Sequence, residues 1–193
     1  MNSIVVFCGS SEGKIEEYAE DAFQLGQTLA QYEIKLVYGG AKIGIMGALA
    51  EGTLKANGEV IGVIPEFLMK KEVYHPNLTE LFITKDMHER KMKMHELSDG
   101  IIMLPGGYGT LEEFFEMLTW AQLGLHQFPI GILNTNGFYD ALLQMMHHMV
   151  DQGFVKKINY DMLLVDMDAD SLLSKMKNYS PIPVPKWITK DQT

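Results

Sequence analysis

Short apolar runs of four or five residues alternate along this chain with longer stretches whose apolar positions recur every three or four residues. The short runs are rich in Ile, Val and Leu and show no polar alternation, the pattern of strands buried on both faces of a parallel sheet. They predict strands at Ile4–Phe7, Lys35–Tyr38, Val60–Ile64, Leu81–Thr84, Ile101–Leu104, Ile130–Leu133 and Met162–Val165. The longer stretches predict helices over Lys14–Gln31, Ile45–Ala56, Asp86–Leu97, Leu111–Leu123, Phe138–Asp151 and Ala169–Met176. Strand and helix in strict alternation give an α/β fold, a Rossmann-like doubly wound parallel sheet flanked by helices. No internal repeat or low-complexity tract interrupts it. Residues 1–180 form one nucleotide-binding domain in this reading, and 181–193, rich in proline, form an extended tail.

Composition narrows the class. With 193 residues and 47% hydrophobic content, the chain suits a single domain with a sizeable core. Its formal net charge of -9 and pI near 5.1 give no general attraction to nucleic acid or an anionic membrane, so any phosphate must be held locally. The lone Cys8 rules out an internal disulfide framework and suits a reducing compartment. No basic leader and no apolar run of about 20 residues is present, so the expected setting is cytoplasmic.

Ligands of open parallel sheets collect beyond the carboxyl ends of the strands. Three turns there carry glycine: "CGSSEG" with Gly9 and Ser10, "YGGAKIGIMG" with Gly39 and Gly40, and "PGGYGT" with Gly106, Gly107, Tyr108, Gly109 and Thr110. A single glycine turn needs no ligand to explain it. Three at one sheet edge, each followed by a helix with unpaired N–H groups, describe a phosphate pocket. Two nucleotide fingerprints fail in detail. Gly107 and Gly109 are followed by Glu112 where a dinucleotide motif has its third glycine, and Gly39 and Gly44 are followed by Ile45 and Met46 where a P-loop needs Lys and Ser or Thr.

Acids stand beside these glycines. Thr110 and Glu113 spell T-x-x-E, which reads either as a capping box or as a carboxylate at the pocket. The helix that follows is apolar almost all round, with Glu113 between Met117 and Trp120, so part of it is expected to pack on a second copy of the chain. In "DMHERKMKMHEL", Arg90 projects from the stripe of Met87, Met94 and Leu97, and Lys91 sits at its border. A structural ion pair and a cationic pair serving the pocket both remain open for them. His88 and His95 lack a supporting ligand and no H-E-x-x-H pattern occurs, so no metal is assigned.

"DMHERK" followed by "PGGYGTLEE" resembles the Lonely Guy family, the cytokinin riboside 5′-monophosphate phosphoribohydrolases. The match places Arg90 and Lys91 on the family's Arg-Lys pair, and Pro105, Gly106, Gly107, Gly109, Thr110 and Glu113 on its P-G-G-x-G-T-x-x-E pattern. It continues through "VYGGAKIGIMG", "HPNLTEL" and "TWAQLGLH", so it reaches from the N-terminus to about Phe154. The resemblance implies a Rossmann-like homodimer that cleaves the N-glycosidic bond of a purine nucleoside 5′-monophosphate, such as N6-modified AMP, to free base and ribose 5-phosphate. It implies that Arg90 and Glu113 are the catalytic pair, that Lys91, Glu72 and Thr119 touch the nucleotide, and that no cofactor is required. Nothing in the sequence marks a lysine as a pyridoxal phosphate anchor. A non-catalytic nucleotide carrier or sensor, and a broader purine nucleotide salvage hydrolase, are the alternatives for the same pocket.

Overall fold

The strand runs that alternation singled out all lie in one sheet. In the computed structural model, which describes residues 1–69 and 74–181, seven parallel strands run in the order β4-β3-β2-β1-β5-β6-β7. In chain order the elements are β1 (Ser3–Phe7), α1 (Glu17–Gln31), β2 (Lys35–Tyr38), α2 (Gly44–Lys55), β3 (Val60–Pro65), α3 (Glu66–Met69), β4 (Glu80–Thr84) and α4 (Met87–Glu96). They continue with β5 (Gly100–Met103), α5 (Tyr108–Gln122), β6 (Ile130–Leu133), α6 (Asp140–Asp151), α7 (Lys157–Tyr160), β7 (Leu163–Asp166) and α8 (Ala169–Lys177). Residues of the proline-rich tail from 182 onward lie outside the described residues.

Strand periodicity divides the core into two layers. Ile4, Val6, Leu36, Tyr38 and Ile102 face one side, where α1, α2 and α8 supply Leu25, Leu49 and Leu172. Val5, Phe7, Val37, Ile101 and Met103 face the other, against Met94 of α4 and Phe114 and Met117 of α5. The inner strands, buried on both faces, read as continuous apolar runs, whereas the edge strands β4 and β7 are only partly buried.

The strand order decides where a ligand can sit. β1 is flanked by β2 on one side and β5 on the other, paired Val5 with Val37 and Val5 with Ile101. Connections leave in opposite directions from these neighbours, so their loops part and open a crevice at the carboxyl ends of β1 and β5. The loops with Gly9 and Gly107 border that crevice.

Three short elements escape the hydrophobic pattern: α3, α7 and a 3₁₀ turn at Thr135–Gly137. Each is three or four residues long, too short to show a period. α5 differs more consequentially, because it begins at Tyr108 rather than Leu111.

On the outer layer, α1 and α2 press together at glycines. A Cβ at Gly52 would lie 2.0 Å from the Phe23 carbonyl oxygen, and one at Gly26 would lie 2.3 Å from that of Leu49. Backbone cannot yield as a flexible side chain would. Gly52→Ala therefore loses stability although alanine is the better helix former by about 1 kcal/mol. Overpacking of about 1–3 kcal/mol should lower the melting temperature by roughly 3–10 °C, measurable by differential scanning calorimetry.

Candidate functional site

The start of α5 follows from its glycines. Gly107 takes the N-cap position in extended backbone, with φ -100° and ψ -154°, and no side chain caps it. The first intrahelical bond runs from Leu111 N–H to the Gly107 carbonyl, so the N–H groups of Tyr108, Gly109 and Thr110 precede the helical ladder. Thr110 is thus inside the first turn, and the T-x-x-E capping box does not form. Its side chain instead folds over Gly106, where a Cβ would meet the Thr110 Oγ1 at 2.1 Å. Glu113 is released from capping. It is buried one turn further along the helix, with 9% of its surface exposed.

Arg90 reaches the same place from α4. That helix starts with a reciprocal cap: Asp86 accepts from the Glu89 N–H at 2.9 Å, and Glu89 accepts from the Lys85 N–H at 2.8 Å. One turn on, Arg90 dives between the sheet and the crevice and is 7% exposed. Its Nε donates to the Val63 carbonyl at 3.0 Å and its Nη2 to the Gly39 carbonyl at 3.4 Å. Nη1 lies 3.6 Å from Glu113 Oε1. Gly39 is required at this contact, since a Cβ there would sit 2.4 Å from the guanidinium. Neighbouring Gly40 has φ +82°, a conformation natural to glycine, and its carbonyl accepts from the His75 N–H at 2.9 Å.

These groups surround a cavity of about 420 Å³ at the β1/β5 crevice. Of the residues expected at the site, Arg90, Glu113, Gly9, Ser10, Gly39, Gly107, Tyr108, Gly109 and Thr110 line it. Gly106 and Gly40 lie behind the wall, as supports for Thr110 and the second loop. A Cβ built at Gly107 or Gly109 meets nothing within 4 Å, so both present bare backbone to open space. Lys91 turns from the cavity to α5, with Nζ 2.6 Å from Glu112 Oε1 and 3.0 Å from Glu116 Oε2. Thr119 is exposed and its hydroxyl donates to the Phe115 carbonyl at 2.7 Å. Glu72 lies outside the described residues.

Three methionines join the wall: Met46, Met87 and Met94. In sequence Met87 and Met94 read as the apolar stripe that carries Arg90, and Met46 as a residue that breaks the P-loop pattern. Glu112, read as the residue that spoils a dinucleotide motif, also borders the cavity.

The electrostatics are those of a shielded site. Burial pushes the Glu113 carboxyl above its ordinary value; Arg90 opposes the shift and Glu112 adds to it. Burial likewise pushes the Cys8 thiol far up, so Cys8 stays a neutral part of the wall. No lysine lines the cavity among the described residues.

The arrangement combines a helix start with uncapped N–H groups, bare backbone, a fixed guanidinium and a buried carboxylate, all within one cleft. Comparison with known proteins gives it a family. Residues 46–176 match the family model described as "Possible lysine decarboxylase". The chain is 44% identical over 179 residues to the cytokinin riboside 5′-monophosphate phosphoribohydrolase LOG5 of Arabidopsis thaliana, covering 93% of this chain and 78% of that one. It is 45% identical over 179 residues to the probable cytokinin riboside 5′-monophosphate phosphoribohydrolase LOGL9 of Oryza sativa subsp. japonica, covering 93% and 79%. Among solved structures, the molybdenum cofactor binding protein of Rippkaea orientalis superposes with a TM-score of 0.70 at 22% identity, over 92% of this chain and 97% of that one. The molybdenum cofactor carrier protein of Chlamydomonas reinhardtii does so with 0.66 at 18% identity, over 91% and 96%. At that distance the structures share the fold, whereas the sequence identity to the plant proteins carries the kinship: this chain belongs to the family of the cytokinin riboside 5′-monophosphate phosphoribohydrolases.

Proposed function

We propose that the protein hydrolyses the N-glycosidic bond of an adenosine 5′-monophosphate, N6-modified in the cytokinin-activating case, and releases the free base and ribose 5-phosphate. The observation that carries this reading is the buried Arg90–Glu113 pair, 3.6 Å apart, beside an uncapped helix start. The 5′-phosphate lies on the N–H groups of Tyr108, Gly109 and Thr110, where the helix dipole favours negative charge. Gly9, Ser10 and the Thr110 hydroxyl complete its surroundings.

Cleavage of C1′–N9 builds positive charge on the ribose, as in glycoside hydrolysis. A carboxylate set against that carbon stabilises the charge or orients the attacking water, and Glu113 takes that role. Water supplies a hydroxyl to C1′ and a proton to the departing base, so the atoms balance without a cofactor. A guanidinium is a poor proton donor, so Arg90 is not the acid of the reaction. With Nε and Nη2 held by backbone carbonyls, it acts as a fixed charge that keeps Glu113 ionised and aimed. Met46, Met87 and Met94 offer an adaptable apolar wall to the base.

A homodimer fits the outer face of α5, where Leu111, Phe115 and Leu118 remain half-buried in one chain. Thr119 stands on that face. A cytoplasmic setting fits the lone buried thiol. No helix among the described residues is long and apolar enough to cross a membrane.

Incubation with AMP and with N6-isopentenyl-AMP, followed by chromatography, should release base and ribose 5-phosphate in equal amounts; two intact nucleotides would sink the proposal. Glu113→Gln should lower the rate by about 10²- to 10⁴-fold while leaving nucleotide binding in place. Its stability should respond oppositely. Because burial raises the folded carboxyl above its ordinary 4.5, ionised Glu113 costs stability at neutral pH, and that cost vanishes where both states are protonated. Glu113→Gln should therefore melt above the wild type at pH 7 and coincide with it below about pH 4. Sedimentation equilibrium should give twice the 21.8 kDa chain mass, and Phe115→Glu should return the monomer.

A further inference from the structure

Lys91 follows Arg90 directly, so the helix sets the two side chains about 100° apart. Arg90 enters the cavity. Lys91 crosses to α5 and is buried there, 9% exposed, between Glu112 and Glu116. Those two acids stand one turn apart on one helix face and repel each other. Glu112 also borders the cavity, two residues beyond the last free N–H group at Thr110. An anion on those N–H groups thus lies close to a carboxylate of its own sign. At a protein surface such charges interact over several ångströms with energies that matter to binding.

We propose that Lys91 serves the phosphate subsite as a charge-balancing and positioning residue: its ammonium offsets one of the two negative charges of Glu112 and Glu116, so that the substrate's phosphate meets the helix N–H groups against a weaker opposing carboxylate field. It does not grip the nucleotide itself. The inference rests on the functional reading above and deepens it.

Two further observations agree. The charges of Glu112 and Glu116 both push the Glu113 carboxyl up while that of Lys91 pulls it down, so all three are felt at the cavity wall. Burial works against the charge on Lys91, yet the hydrogen bonds and charges of Glu112 and Glu116 together outweigh it and hold its pKa above the ordinary value. The same bridge ties α4 to α5, the helices that carry Arg90 and Glu113. A lysine drawn away to a phosphate would leave two neighbouring acids uncompensated.

The test is calorimetric titration of AMP and adenosine in a Glu113→Gln background, where turnover is suppressed. Lys91→Met should weaken AMP about ten-fold or more and change adenosine by less than about two-fold. Adding Glu112→Gln to Lys91→Met should restore most of the lost AMP affinity, because the offending charge is gone. A direct phosphate contact predicts the reverse, a loss that persists in the combined variant, and would overturn the inference. Equal losses for AMP and adenosine would also overturn it, by reducing Lys91 to a structural tie. Should Lys91→Met not fold, Glu112→Gln alone decides: AMP must bind more tightly relative to adenosine, and an unchanged ratio rejects the proposal. A background protein that binds no AMP at all would reject the functional reading and this inference with it; AMP binding without rescue rejects this inference alone.

Discussion

The guanidinium of Arg90 is the interaction on which the site depends. A buried cation is costly unless every side of it finds a partner. Here the partners come from separate parts of the chain: the Val63 carbonyl from β3, the Gly39 carbonyl from the end of β2, and the Glu113 carboxylate from α5. Each partner is itself held. Gly39 leaves the space a Cβ would occupy, and the next residue's carbonyl is bound by the His75 N–H. His75 is 2% exposed; its Nδ1 accepts from the Asn77 N–H, which leaves Nε2 to donate to Glu51 at 3.2 Å. The reach of one arginine thus fixes two loops and two helices relative to the sheet.

In the proposed site, charge balance separates the group that binds from the group that reacts. A chain of net charge -9 attracts no anion from a distance, and three carboxylates in five residues, Glu112, Glu113 and Glu116, make the start of α5 an unpromising phosphate site. The fold answers locally. Glu112 and Glu116 are occupied by Lys91, Glu113 by Arg90, and the bare N–H groups of the first turn remain positive. The Arg-Lys pair that stands together in sequence is divided in space, Arg90 facing Glu113 and Lys91 facing Glu112 and Glu116.

How far the sequence foretold this varies with the physics of each feature. The inner strands, buried on both faces, leave an unambiguous apolar run, and all seven strands are where their runs lie, within a residue or two. Helix starts are set by backbone, and there the reading was split. D-x-x-E at Asp86 does form a reciprocal cap, whereas T-x-x-E at Thr110 does not. The difference lies three residues upstream, where Gly107 already takes the N-cap position, and Gly106 gives Thr110 a place to pack. Arg90 and Glu113 stood out because charge in an apolar stripe is conspicuous. Met46, Met87 and Met94 did not, since a methionine facing a cavity and one facing the core look alike in sequence. The fate of Lys91 depended on a contact across 21 residues that no local period encodes.

The fold alone would not have chosen among these roles. Proteins that bind or carry a molybdenum cofactor share the same architecture at 18–22% identity, because any doubly wound sheet opens a crevice where its strand order reverses. What this chain adds to that crevice is a carboxylate kept in a place where its charge is disfavoured. Its ion pair with Arg90 offsets part of that cost without removing it. In the proposed reaction, which passes through positive charge, the same carboxylate changes from a liability into a favourable interaction.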